Sequence, residues 1–318
     1  MSSSTNVAAI FPGQGAQSVG MLGELAAEYP SIQARFAQAS EVLGFDLWAM
    51  TQQGPAEVLS QTENTQPALL VASVALWDLW PQAQEKVSVM SGHSLGEYSA
   101  LVCAGAMSFA DGVALVRRRG ELMQAAVPDG QGSMAAVLGL DDEAIAQCCD
   151  QVEGEVSPAN FNAPGQVVVA GESGAVTAAI DACKAAGAKR AVPLDVSGPF
   201  HSRLMQAAAE DFANALGGIE LSMPRLPVIQ NVHGSVATSV DEMRTLLVEQ
   251  LYSPVRWTAC VESMIGSGVE QFVECGPGSV LAGLVKRISR ATPTVGLSTA
   301  SGINAAQELW HPRRIRRG

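Results

Sequence analysis

The chain has 318 residues, 47% of them apolar, enough for a large domain or a large and a small one around a sizeable core. Its formal net charge of −12 argues against nucleic acid as a partner. Its longest uncharged apolar runs, 68–77 and 99–110, are far shorter than a membrane span, and no charged-then-apolar leader opens it, so a soluble cytoplasmic protein without a membrane partner is expected.

Val7 to Phe11 reads as a buried strand, followed by the glycine loop Pro12 to Gln17. That loop lacks the G-x-G-x-x-G and Walker spacings, so it is expected to approach another loop or a ligand closely rather than cradle phosphate. Helices are expected at 21–29, 32–43, 56–60 and 67–80, the last lying against a strand that begins at Val87. A further helix is expected from Asp111 to Gln124. Residues 128–197 then read as strand, helix, two strands around a turn at 160–165, a helix capped by Ser173, and a last strand at 190–194. That βαββαβ order predicts a ferredoxin-like small domain inserted into a hydrolase-like α/β domain of parallel strands, residues 1–127 and 198–318. The large domain resumes through a helix ending near Leu216, a strand from Pro227, helices at 241–251 and from Trp257, a strand at 271–275 and a helix at 280–288. The basic segment 311–318 reads as a disordered tail. The six cysteines lack metal spacing, so reduced thiols and no metal site are expected.

The chemistry centres on Gly92-His93-Ser94-Leu95-Gly96, a G-x-S-x-G turn with a strand before it and a helix pattern after it. Such a turn exposes the Ser94 hydroxyl as a nucleophile and points the Leu95 N–H, at a helix N-terminus, at a developing oxyanion. A serine needs a base. Of the four histidines, His93 diverges from its neighbour and reads as a packing residue, His311 belongs to the tail, and His233 sits in a turn. His201, in a Gly-Pro-Phe-His loop entering a helix, is the leading base, with His233 left open. No acid stands out to complete a triad, so a Ser–His dyad oriented by a backbone carbonyl is expected. Arg119 falls on the apolar face of its helix, and an inward guanidinium needs an anion, from the protein or from a substrate.

Several of these segments together resemble the malonyl-CoA:acyl-carrier-protein transacylase family. They are Phe11 to Gln17, Gly92 to Tyr98, Arg119-Gly120, Asn160 to Asn162, Phe200-His201, Gln250 to Val255 and Glu274 to Gly278, in the family's order from about residue 7 to 290. The resemblance implies malonyl-CoA as substrate, holo acyl carrier protein as partner, a monomer, and no cofactor. It implies that Ser94 is acylated with His201 as base, and that the side-chain carbonyl or backbone of Gln250 orients the imidazole. It further implies oxyanion donation by the Leu95 and Gln14 N–H groups, a malonyl carboxylate held by Arg119, and substrate contacts from Asn160, Asn162 and Phe200. Phe200 is the residue type that malonyl-selective relatives carry, and its ring would fill the space of an α-methyl. Ser279 departs from the lysine many relatives have there, so carrier docking falls to Lys189-Arg190 or Lys286-Arg287. A serine esterase or thioesterase using the same dyad with water, malonyl loading in a polyketide line, and an idle carrier-binding module are the competing readings.

Overall fold

The computed structural model describes residues 6–81, 83–196 and 198–309; the basic segment at 311–318 and the first five residues lie outside them. Its strands are β1 (Val7–Phe11), β2 (Val87–Gly92), β3 (Gly132–Leu138), β4 (Val156–Ala163), β5 (Gln166–Glu172), β6 (Arg190–Pro193), β7 (Val228–Ile229), β8 (Gln271–Glu274) and β9 (Thr294–Gly296). They form two sheets.

The first sheet is parallel throughout, in the order β7-β2-β1-β8-β9. Every residue of β1 and β8 is buried, as expected where helices cover both faces of a parallel sheet. The C-terminal ends of β1, β2, β7 and β8 lie at one edge, where open α/β sheets carry their sites. Backbone bonds tie the outgoing chains together there: His93 N–H donates to Phe11 O at 2.9 Å, and Cys275 N–H to Ile10 O at 2.8 Å.

The helix Thr62–Asp78 packs against the helices Phe109–Ala125, Leu95–Cys103 and Ser31–Leu43 and is buried on all sides from Asn64 to Trp77. It begins five residues before the expected start, so that Pro67 sits inside it. Pro67 has no N–H to give the Glu63 carbonyl, and Arg117 Nη1 donates to that oxygen instead, at 3.2 Å. Each buried Leu or Val along it contributes about 1.5–3 kcal/mol, so tertiary burial outweighs the interior proline.

The second sheet is antiparallel, in the order β4-β5-β3-β6, and its strands occur within 132–193 in the sequence strand, helix, strand, strand, helix, strand. Period-two alternation divides its side chains between two cores. Ala135, Val137, Val167 and Val169 pack under the helices Asp142–Asp150 and Ser173–Ala185. Met134, Val168 and Ala170 point the other way and join the large core.

Two expectations are corrected. Asn160 and Asn162 lie in β4, not in a turn. The strand runs on past Ala159 because Phe161 N–H donates to Val255 O and Val255 N–H to Ala159 O, both at 2.9 Å. Ser173 is the first helical residue rather than the cap, and its hydroxyl donates to Gly130 O at 2.8 Å. The structure also adds a helix at Leu47–Gln53, the edge strand β9 and a helix at Ala300–Glu308.

Candidate active site

The turn after β2 forces Ser94 to φ 52° and ψ −109°, a conformation that costs on the order of 1–3 kcal/mol. Crossing of the strand and the following helix makes both flanking glycines necessary. A Cβ on Gly92 would lie 1.9 Å from the Gly96 carbonyl carbon, and one on Gly96 would lie 2.0 Å from Phe11 O. Gly13, before Gln14, is bound by the same crowding, since its Cβ would meet His93 O at 2.4 Å. The strained backbone is held on both sides. Ser94 N–H donates to Asn231 Oδ1 at 2.7 Å, and Ser94 O accepts from Gln250 Nε2 at 3.2 Å.

His201 also has a positive φ, of 60°, and its ring is buried. Its Nδ1 lies 2.7 Å from the Gln250 backbone oxygen. A carbonyl only accepts, so Nδ1 carries the proton and Nε2 presents a lone pair. That lone pair faces Ser94 Oγ at 2.7 Å. Burial, and next the Arg119 charge, push the imidazole down to about 3, so it is neutral at physiological pH. The backbone of Gln250, not its side chain, therefore orients the ring. His233 is exposed and turned to Ser235 and Glu242, away from Ser94.

Arg119 is 1% exposed, with Tyr98 beneath its guanidinium. Nη1 donates to Gln66 Oε1 and Nη2 to Gln250 Oε1, both at 2.8 Å, and Nη2 also reaches Ser94 Oγ at 3.3 Å. Among the described residues no carboxylate pairs with it, and Nε has no partner. The acid nearby is Glu97, whose burial pushes it up to about 7. Two neutral amides thus fix a buried cation beside the Ser94 hydroxyl, with no carboxylate among the described residues paired to it.

Leu95 and Gln14 enter the same space from the helix N-terminus and from the loop after β1. Neither backbone N–H donates to a protein acceptor among the described residues. Gln14 is half-buried, and its side chain accepts from Thr62 Oγ1 at 3.3 Å.

The opposite wall comes from the antiparallel sheet and the chain returning from it. Asn160, Asn162, Met134, Val168 and Phe200 close, with the residues above, a cavity of about 200 Å³. Asn162 Oδ1 accepts from His93 Nε2 at 2.7 Å, and the His93 ring centre lies 5.6 Å from that of Trp257. His93 is therefore part of the cavity wall and not packing alone. Every sequence-predicted site residue borders this cavity except Gln250, which lies behind Arg119 and His201. Sequence reasoning missed Gln66, Glu97 and Asn231. Glu97 stood inside the quoted turn motif, but only the fold brings Gln66 to Arg119 or Asn231 to Ser94. Among the described residues no three His, Cys, Asp or Glu side chains cluster as metal ligands do, and no helix is long and apolar enough to cross a membrane.

A family model for the acyl transferase domain matches residues 9–304. The chain is 55% identical over 308 residues to the malonyl CoA-acyl carrier protein transacylase of Escherichia coli (strain K12), an alignment covering 96% of this chain and 100% of that protein. Among solved structures, an acyl carrier protein S-malonyltransferase from Vibrio cholerae superimposes with a TM-score of 0.92 at 52% identity, over 95% of this chain and 99% of that one. A malonyl-transacylase solved in complex with a type II PKS acyl-carrier protein superimposes with a TM-score of 0.93, also at 52% identity, over 96% and 99% of the two chains.

Proposed function

The chain belongs to the acyl transferase domain family and transfers malonyl groups from malonyl-CoA to acyl carrier protein; we propose that the group travels as an ester of Ser94. The observation that carries this reading is the triangle around one oxygen. Ser94 Oγ lies 2.7 Å from a bare imidazole nitrogen and 3.3 Å from a buried guanidinium that no carboxylate among the described residues pairs.

In the first half-reaction His201 Nε2 takes the Ser94 proton as Oγ attacks the thioester carbonyl. Leu95 and Gln14 N–H groups receive the oxyanion of the tetrahedral intermediate. Collapse breaks the C–S bond, and the proton on Nε2 leaves with the CoA thiol. The carrier's phosphopantetheine thiol then gives its proton to Nε2 and attacks the ester, and Ser94 Oγ leaves and regains a proton. Arg119 pairs with the free malonyl carboxylate in a charge-assisted bond. An acetyl group would leave that cation buried and unpaired, which disfavours acetyl-CoA. The Asn160 and Asn162 amides line the acyl path, and the Phe200 ring fills the space of an α-methyl.

We read the antiparallel unit, residues 128–197, as a ferredoxin-like insertion into a catalytic domain formed by 1–127 and 198–318; its strand order 4-1-3-2, numbered within the unit, supports this. The site is complete within one chain, which favours a monomer as the acting unit. Six buried free cysteines fit a reducing cytoplasm. The exposed pairs Lys189-Arg190 and Lys286-Arg287 are the basic ground for an acidic carrier. The carrier partner of the structural relative belongs to a type II PKS, so polyketide carriers are a second class of acceptor to test.

The test is intact-protein mass after mixing with malonyl-, acetyl- or methylmalonyl-CoA, with and without holo carrier. A malonyl-sized adduct that maps to Ser94, is absent in Ser94→Ala and vanishes when carrier is added is the expected result. Free malonate without transfer would favour a hydrolase, and stoichiometric acylation elsewhere would remove Ser94 as the nucleophile.

A further inference from the structure

Asn231 follows β7 and is fully buried, yet it has no place in the reaction above. Three of its four polar groups meet the turn that carries Ser94, and the fourth, its backbone carbonyl, accepts from Arg256 N–H at 3.0 Å. Oδ1 accepts from Ser94 N–H at 2.7 Å, Nδ2 donates to Gly92 O at 2.7 Å, and its own N–H donates to Glu97 Oε2 at 2.7 Å. One residue thus holds the turn before, at and after Ser94. Gln250 Nε2 lies 3.4 Å from the same Oδ1 and 3.2 Å from Ser94 O, which joins the clip to the residue that orients His201.

This arrangement answers a mechanical problem. A backbone held at φ 52° relaxes unless its surroundings over-determine it. Relaxation would swing Ser94 Oγ off His201 Nε2 and turn the Leu95 N–H away from the oxyanion. The two glycines make the strained turn sterically feasible, and Gly96 N–H closes it on His93 O at 2.9 Å, but Ser94 N–H needs an acceptor from outside the turn. Asn231, in the chain leaving β7, supplies it.

We propose that Asn231 is the positioning residue of the nucleophile turn: its side-chain amide and backbone N–H lock Gly92, Ser94 and Glu97 in the reactive geometry, without contact with substrate. The inference rests on the reading of Ser94 as the acylated residue. An amide is needed because Ser94 N–H requires an acceptor while Gly92 O requires a donor. A carboxylate meets the first demand only; a protonated carboxyl meets both. The titratable groups facing this position are Glu97 from the helix after the turn, Cys260 with Sγ 4.0 Å from Nδ2, and Arg119 and His201 across Gln250.

The experiment is single-turnover acylation of the full chain by malonyl-CoA, read as adduct mass against time. Asn231→Ala is expected to lower the acylation rate by about 10²-fold, the cost of a misplaced reacting group, while half-saturation by malonyl-CoA changes less than about threefold because Arg119 is untouched. Asn231→Asp is expected to recover towards wild type on acidification, its rate relative to wild type being about tenfold higher near pH 6 than near pH 9. An Asn231→Ala rate within about threefold of wild type overturns the proposal. If that variant does not fold, Asn231→Asp decides alone, and a ratio independent of pH overturns it. An adduct on Ser94→Ala in the same assay would overturn the nucleophile reading and this inference with it. A normal rate in Asn231→Ala removes this inference alone.

Discussion

The parallel and antiparallel sheets face each other across the cavity and contribute different things. On the proposed reading, the parallel sheet delivers the nucleophile, the oxyanion donors and the residue that positions them. Ser94, the Leu95 and Gln14 amides and Asn231 all come from chain leaving the ends of its strands, where backbones cross so closely that a methyl group would collide with a carbonyl. The antiparallel sheet delivers shape. Met134 and Val168 extend from β3 and β5, Asn160 and Asn162 from the part of β4 where its register with β5 shifts, and together they bound the cavity; of these four, Asn162 bonds to the turn at Ser94, through His93. On the proposed reading, the nucleophile and oxyanion donors come from where backbones cross most closely, while the base His201 and the carboxylate-holding Arg119 come from outside both sheets.

Substitutions sharpen that contrast. His201→Ala removes the base and is expected to slow acylation by roughly 10²–10⁴-fold, measured by stopped-flow release of CoA; a near-normal rate would break the assignment of chemistry to this dyad. Arg119→Ala is expected to cost malonyl-CoA about 2–5 kcal/mol in kcat/KM, the range for truncating one partner of a buried charge pair, and to narrow the gap to acetyl-CoA. Equal losses for both substrates would make Arg119 purely structural. On the shape side, Phe200→Leu is expected to relax exclusion of methylmalonyl-CoA by about 10–200-fold in relative kcat/KM, the scale for small changes in an apolar pocket. Ile145→Val, under the small sheet, is expected to lower stability by about 0.5–1.5 kcal/mol in denaturant melts and leave the acylation rate unchanged. A changed rate there would mean that the two regions are mechanically coupled.

The same contrast has a pH signature. In the free protein His201 is neutral down to about pH 3, so the acid limb of kcat/KM that it governs lies well below its ordinary 6.5. A carboxylate on Arg119 cancels part of the cation's push, so the limb in kcat is expected at higher pH than the limb in kcat/KM. Arg119→Ala should raise the limb in the free protein too. For stability the sign is fixed by proton uptake. Between about 6.5 and 3 the unfolded chain binds a proton on this residue that the folded chain refuses, so folding weakens as pH falls through that window. Thermal melts of wild type and His201→Ala across it would reveal the difference as a shallower acid slope in the variant.

Much of the site was legible because its chemistry is local in sequence. Gly92 to Gly96 carries its own strand and helix, and β1 and the helix Val280–Ile288 begin and end where apolar patterning and punctuation put them. His201 was reachable by elimination among four histidines, though only the fold shows its tautomer. Other features depended on distant partners. The extension of β4 through Asn162 comes from pairing with Val255, and the five extra residues before Pro67 from Arg117. The helices at Leu47–Gln53 and Ala300–Glu308 do carry local signals: Asp46 and Thr299 cap them, accepting from Ala49 and Gly302 N–H. Asn231 offered no local signal at all, since its meaning lies in a turn on another strand.

The order of the parallel sheet also bears on how the chain acquires its shape during synthesis. β1, the middle strand, pairs Val7 with Val87 on one side but with Gln271 on the other. A chain emerging N-terminus first therefore carries its central strand with a bare edge until residues 271–274 are made, and an unpaired edge is a template for association with other chains. The antiparallel unit has all its strands within 132–193 and can close its own sheet long before that. The nascent chain thus holds an early-folding module in the middle of a late-folding one, and its most exposed moment comes just before the last strands arrive.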